Sequence, residues 1–322
     1  MKFLDNILDN FFHHPPRKAL GIDIGGRNIK AVLLKKQKKK GKTFFTLENY
    51  AIASIQGSNQ DIRQMPVEEV SSALKQILEK ADINTNEDHV VMSLPALSSF
   101  LIIIQIPLIP QEELAKAIKI QAKKYIPIPL KEVTLGWSII EQNQSEKTMR
   151  ILLVAVNQKI SQRLCQIGKT AGLNLKSIEV ETFSLARSLN QPGTEIFAII
   201  DMGAKTTNLG IIKAGLVIFN RTIDLKGSEI GKNPDLIMDR VKKIIQLFEA
   251  KHKQKIVKII LTGGVANLAN IDQQFYKFIN IPTIRGNPWQ NIFYNNKQLY
   301  PFLRKLDTSF SIALGLALRD LI

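Results

Sequence analysis

GIDIGGRNIK, residues 21–30, is an apolar strand that reaches Asp23, turns through Gly25 and Gly26, and leaves by Arg27, Asn28 and Lys30. Alone, it is ordinary hairpin chemistry. Its weight comes from an echo. IDIGGRNIKAVLL (22–34) and IDMGAKTTNLGII (200–212) share a plan: apolar strand, Asp, apolar residue, Gly, small residue, polar turn, second apolar strand. The second turn reads as one residue longer. The two stretches lie about half a chain apart, which predicts two related lobes, each offering one hairpin to a shared cleft.

The chemistry of such a pair follows from its residue types. Glycine lets backbone amides approach phosphate oxygens with no Cβ in the way. Thr206 and Thr207 carry hydroxyls that donate to the same oxygens. Asp23 and Asp201 suit Mg²⁺ or its waters, because a hard cation takes carboxylate oxygen. Lys30 brings positive charge, although strand alternation leaves open whether it faces the cleft. LTGG (261–264) opens a further turn. Gly168-Lys169-Thr170 imitates the end of a P-loop, but position 163 is Arg163 where that motif needs glycine, and the tripeptide ends a helix.

Composition bounds the class. The 322 residues are 45% apolar and 22% charged, as in an ordinary globular protein. The single cysteine, Cys165, excludes an internal disulfide and fits a reducing, cytosolic setting. No apolar run approaches the ~18 residues of a membrane span, and FLIIIQI (100–106) has the length of a buried strand. The net charge of +16 is scattered, apart from KKQKKKGK (35–42), which reads as a solvated hairpin tip. No zinc spacing or aromatic sheet motif points to nucleic acid.

The pattern along the chain is mixed α/β. Residues 3–12 repeat apolar pairs every four positions, stopped by Pro15 and Pro16, which predicts an amphipathic helix within residues 1–18. Its apolar face requires a partner: the chain's own body, another protein or a membrane surface. Helices are predicted at 67–81, 111–126 and 158–171, with Gly172 as a C-terminal cap, then a short one to Leu189. After the breaker Gln191-Pro192-Gly193 come three strands, a helix opened by Asn233 and Pro234, one at 268–279 and one at 309–321.

With these residues in place, the chain resembles the actin-like ATPase superfamily and, within it, the PilM family of type IV pilus assembly proteins. The resemblance covers most of the chain. It rests on GIDIGGRNIK, on SLPALSSFLIIIQIPLIPQEELAKAIKIQAKKYIPIPLKEV (93–133), on IIDMGAKTTNLGII, LTGGVANLANI, NPW and ALGLALR. YIPIP (125–129) is its most specific part. It implies an α/β, two-lobed actin-like fold, duplicated on a ribonuclease H-like plan, with an inserted 1C subdomain and a reduced 2B subdomain. The expected divisions are 19–87 for subdomain 1A, 88–172 for 1C, 173–192 for the return to 1A, 193–300 for the second lobe and 301–322 for a helix packing on 1A.

The resemblance also implies a site and partners. ATP and Mg²⁺ would lie between the lobes. Gly25, Gly26, Arg27, Asn28 and Lys30 would form one phosphate loop, and Gly203, Ala204, Thr206 and Thr207 the other. Gly263 and Gly264 would lie under the adenosine, and Asp23 and Asp201 would be the Mg²⁺ side. Glu179 and Glu181 are acidic candidates between the lobes, and Asp23, Asp201 and Glu179 form the catalytic set, with Glu179 positioning water. The partner would be the cytoplasmic tail of a PilN-like inner-membrane protein, in a groove by 1C, with Tyr125, Ile126, Pro127 and Pro129 as partner-binding candidates. Other pilus and motor components follow, at the inner face of the cytoplasmic membrane, with membrane contact by association only.

Two departures from the family pattern weigh against catalysis. Gly26-Arg27-Asn28 stands where small hydroxyl residues are usual, and the stretch between Gly227 and Gly263 holds essentially one helix, with no identifiable Glu/Lys pair to clasp adenosine. Each buried polar pair left unmade costs roughly 1–3 kcal/mol, so reduced nucleotide affinity and weak or absent hydrolysis are expected. The leading expectation is an assembly platform. The alternatives are an active ATPase whose nucleotide state switches partner binding and, more remotely, a small-molecule kinase or a polymerising actin-like protein.

Overall fold

A computed structural model describes residues 16–39, 41–54, 60–84, 89–294 and 307–322. The expected N-terminal amphipathic helix lies outside the described residues. Three antiparallel strands open the first lobe: β1 (Lys18–Ile24), β2 (Asn28–Lys39) and β3 (Lys42–Ser54). Every residue of β1 after Lys18 is buried, as a central strand requires. The lysine block runs to the exposed end of the β2–β3 hairpin, beside Gly41 at φ +77°. Helix α1 (Val67–Lys80) buries Val70, Leu74 and Leu78, one stripe at helical spacing. β4 (His89–Leu94) then runs parallel to β1, and β8 (Leu175–Val180) parallel to β4.

Between β4 and β8 the chain builds a separate module from β5 (Ser99–Pro107), α2 (Gln111–Tyr125), β6 (Val133–Asn143) and β7 (Thr148–Asn157), with strand order β5-β7-β6. Period-two alternation gives its sheet two apolar faces. Ile104, Ile151 and Leu153 bury against Leu114, Ile118 and Ala122 of α2. Leu152, Val154 and Val156 join the core of the first lobe. Helix α3 (Gln158–Thr170) starts at Asn157, whose side chain accepts from the amides of Lys159 and Ile160, and ends at Gly172 with φ +74°. The module is therefore narrower than the expected 88–172. β4 belongs to the first sheet, and Leu164 and Ile167 of α3 share a core with Val70 and Leu74 of α1.

Helix α4 (Glu181–Ser188) leads to β9 (Ile196–Met202), β10 (Thr207–Lys213) and β11 (Leu216–Ile223). Two helices follow where one was expected, α5 (Gly227–Lys232) and α6 (Asp235–His252), before β12 (Lys258–Thr262), α7 (Ile271–Ile279) and β13 (Thr283–Arg285). Strand order β3-β2-β1-β4-β8 in the first lobe is matched by β11-β10-β9-β12-β13 in the second, so one strand plan is used twice. β14 (Ile292–Phe293) crosses back and extends the first sheet at β3, because Trp289 and Ile292 bury with Leu34, Leu47 and Phe310. The expected second-lobe range 193–300 therefore overlaps the first lobe at its end. Among the described residues no helix is long and apolar enough to cross a membrane.

The last helix, α8 (Ser311–Arg319), is buried on nearly every side. Ala313, Leu314 and Ala317 pack on the first sheet. Ile312 and Leu316 join Leu185 of α4 and Leu189 just beyond its end, which pack on Phe197, Ile199 and Ile260 of the second sheet. The two helices meet at Gly315, where a Cβ would overlap the Ser184 carbonyl. Gly315→Ala should therefore cost about 3 kcal/mol in denaturant unfolding, whereas Gly231→Ala, in open space on α5, should gain about 0.5–1 kcal/mol. Equal effects would contradict this packing.

Candidate functional site

The two hairpins meet across the gap between the lobes. Gly25 N–H donates to Asn28 O at 3.0 Å, and Gly203 N–H donates to Thr206 O at 3.0 Å. Asp23 pairs in register with Lys30, and Asp201 with Asn208. The two turns are thus the same length, which corrects the reading that the second is one residue longer. Arg27 corresponds to Lys205, Asn28 to Thr206 and Lys30 to Asn208. The stem of Lys205 crosses Gly26, where a Cβ would lie 2.5 Å from Lys205 Cγ. That crossing accounts for glycine at 26, since a hydroxyl residue would collide with it.

A cavity of about 120 Å³ lies between the hairpins. It is lined by the expected Asp23, Gly25, Gly26, Arg27, Asn28, Lys30, Asp201, Gly203, Ala204, Thr206, Gly263 and Gly264. Thr207 is fully buried beside it and does not line it. Arg27 is exposed at the mouth. Lys30 does face the cavity, with Nζ 3.4 Å from Asp23 Oδ2. Ser93 Oγ donates to Asp23 Oδ1 at 2.9 Å, so this carboxylate is held from two sides.

The two acidic candidates part company. Glu181, 8% exposed, lines the cavity. Its Oε1 accepts from Ala96 N–H at 3.3 Å, and its Oε2 from Asn208 Nδ2 at 3.1 Å, which joins the module's entry to the second lobe. Glu179 does not line the cavity. It forks onto Arg187 at 2.7 and 2.8 Å, with Arg319 Nε at 3.6 Å. Strand alternation would set residues two apart on one side, but β8 ends at Val180 and Glu181 opens α4, so the turn between them sends the two carboxylates apart. Sequence reasoning also missed Arg63 and Asn208. Matching the two turns at equal length would have found Asn208 opposite Lys30; no local signal marks Arg63.

Glu179 instead floors a second cavity, of about 380 Å³. Leu152, Val154 and Val156 of β7, Ile178 and Val180 of β8, and Phe183 of α4 make it mainly apolar, and Leu216 and Val217 of the second lobe close one side. Its size falls within the ~300–1,000 Å³ usual for ligand pockets, and the cleft's falls below it. Tyr125, Ile126, Pro127 and Pro129 do not line it. Tyr125 ends α2 and the other three follow it, with Ile126 in the core on the opposite face of the module's sheet.

Burial, with Asp201 and Asp23 nearby, pushes the Glu181 carboxyl up from 4.5 to about 8. Burial, and then Asp23, raises Asp201 from 3.8 to about 6, against the pull of Lys30. A carboxyl raised in the folded state stabilises below its unfolded pKa and loses that contribution as pH climbs through the folded value. Stability without ligand should therefore fall between about pH 4.5 and 8 through Glu181. Glu181→Gln should lose less melting temperature than the parent between pH 5 and roughly pH 8.5; parallel curves would refute the assignment.

A family model described as type IV pilus assembly protein PilM matches residues 21–234 and 234–321. Among solved structures, a PilM–PilN type IV pilus biogenesis complex aligns with a TM-score of 0.80 at 21% identity, covering 95% of this chain and 100% of that one. The ethanolamine utilization protein EutJ from Carboxydothermus hydrogenoformans aligns at 0.49 and 12% identity, over 98% and 95% of the two chains. MreB5 of Spiroplasma citri, bound to AMPPNP, aligns at 0.49 and 14%, over 93% and 94%. At 21% identity the likeness to the PilM–PilN structure is one of fold, here two lobes built on one strand plan. The family match spans nearly all of the sequence that folds into these lobes, and by it the chain belongs to the PilM family of type IV pilus assembly proteins.

Proposed function

We propose that this protein is a platform in pilus assembly that takes the cytoplasmic tail of a PilN-like inner-membrane protein into the apolar groove between the module's sheet and the first lobe. The observation that carries this is the groove itself. Two open strand faces and α4 give an elongated peptide apolar walls, and the Glu179–Arg187–Arg319 network supplies polar anchors at the floor. A solved structure of the same fold is a PilM–PilN complex. Such a partner would hold the protein at the inner face of the cytoplasmic membrane, within reach of other pilus and motor components.

The cleft would bind ATP with reduced affinity. Its residues fit a phosphate group with Mg²⁺: small residues at both turns, Asp23 and Asp201 as hard oxygen donors, and cations around them. Among the described residues no cluster of three acidic or histidine side chains stands ready for a metal, so phosphate oxygens and waters would complete the shell. A cavity of about 120 Å³ requires the lobes to part before a whole nucleotide enters. One observation favours a second reading, a nucleotide-switched ATPase: Glu181 sits in the cleft where a water-positioning carboxylate belongs.

Calorimetric titration of the full chain with a synthetic PilN-like tail tests the platform reading. Leu216→Glu, which puts a charge on the groove's exposed rim, should weaken binding more than about tenfold, or ~1.4 kcal/mol. Tyr125→Ala, across the module's sheet, should leave it unchanged. No peptide binding by the parent protein, or loss with Tyr125→Ala alone, would overturn the groove assignment.

A further inference from the structure

We infer that Arg63 is a phosphate-binding residue of the cleft, reaching in from outside both hairpins. The inference rests on the nucleotide reading of the cleft and adds to it a residue that neither hairpin supplies.

The segment carrying Arg63 is held from three directions. Ile62 N–H donates to Gly26 O at 3.2 Å, which pins the short helical turn Ile62–Gln64 to the first hairpin. Asp61 accepts from Arg63 N–H at 3.0 Å, from Nε at 2.9 Å and from Nη2 at 2.6 Å. From α3, Arg163 Nε donates to Arg63 O at 3.2 Å, and Arg163 Nη2 donates to Met65 O. Backbone and side chain are therefore both preorganised before any ligand arrives.

The guanidinium has five N–H donors. Asp61 takes the Nε edge, and among the described residues no side chain or carbonyl accepts from Nη1. The Arg63 side chain is 20% exposed, lines the cavity and lies beside Gly26 at the turn. Its charge also acts on Glu181 and Asp23 across the cavity. A planar fork held on one edge by Asp61, on a side chain that lines a small cavity between glycine turns, keeps further N–H donors for the oxygens of a phosphoryl group. Lysine lacks the second edge, so it could not be held by Asp61 and present donors in the same way.

The test is binding of AMP, ADP and ATP, each with Mg²⁺, to the full chain and to Arg63→Ala and Arg63→Lys, with melting curves to check folding. The ratio of parent to variant affinity should grow with phosphate number and exceed tenfold for ATP with Arg63→Ala. Arg63→Lys should recover only part of it. A ratio that is the same for all three nucleotides, or no loss at all, would overturn the role of Arg63 while leaving the nucleotide cleft standing. A parent protein that binds none of the three would overturn both. Should Arg63→Ala fail to fold, the Arg63→Lys series decides by the same ratio.

Discussion

The close approach of α4 and α8 at Gly315 is the constraint on which the rest of the molecule depends. α8 packs on the first sheet and α4 on the second, so the pair forms the common wall of two lobes. A helix pair can approach this closely only where a side chain is missing, and a Cβ on Gly21 would likewise collide with α8. With that wall fixed, the hairpins of β1–β2 and β9–β10 are brought face to face. The same wall separates the two cavities. Glu181, Leu185, Ser311 and Ile312 look into the cleft, and Phe183, Arg187, Arg319 and Ile322 look into the groove.

Charge is distributed between these cavities in different ways. In the groove, Glu179 meets Arg187 and Arg319 at close range, and its carboxylate is balanced locally. In the cleft, Glu181 is buried near two other carboxylates, and its hydrogen bonds from Ala96 and Asn208 offset only part of the desolvation. Two residues of one strand end thus serve opposite environments. The cleft is the electrostatically strained one, because burial and like charge act there on Glu181 and Asp201 together.

Much of the fold was legible from residue patterns. The repeated Asp-x-Gly hairpins, the apolar stripes of α1, α2 and α3, the Asn157 and Gly172 caps and the strand lengths are local properties, set by side-chain spacing and backbone sterics within one element. The glycines and aspartates of the hairpins were legible for the same reason. The relative length of the two turns was misread because glycine-flanked polar turns carry no mark of where pairing resumes; strand register fixes it, with Asp23 opposite Lys30 and Asp201 opposite Asn208.

The sequence by itself determined the elements, the duplication and the residue types available at the cleft. Only the tertiary structure decided which of them face one another. Glu179 and Glu181 are indistinguishable as letters, yet one fell to the groove and the other to the cleft, because the turn into α4 reverses their exposure. Arg63 was invisible because its place depends on Gly26 and Arg163, which arrive from segments distant in the chain, as well as on its neighbour Asp61. Tyr125 to Pro129, the most distinctive stretch, lies away from the groove because α2 covers one face of its sheet and the groove opens on the other. Local spacing dictates which side of an element a residue takes; what meets that side is settled by the packing of elements distant in the chain.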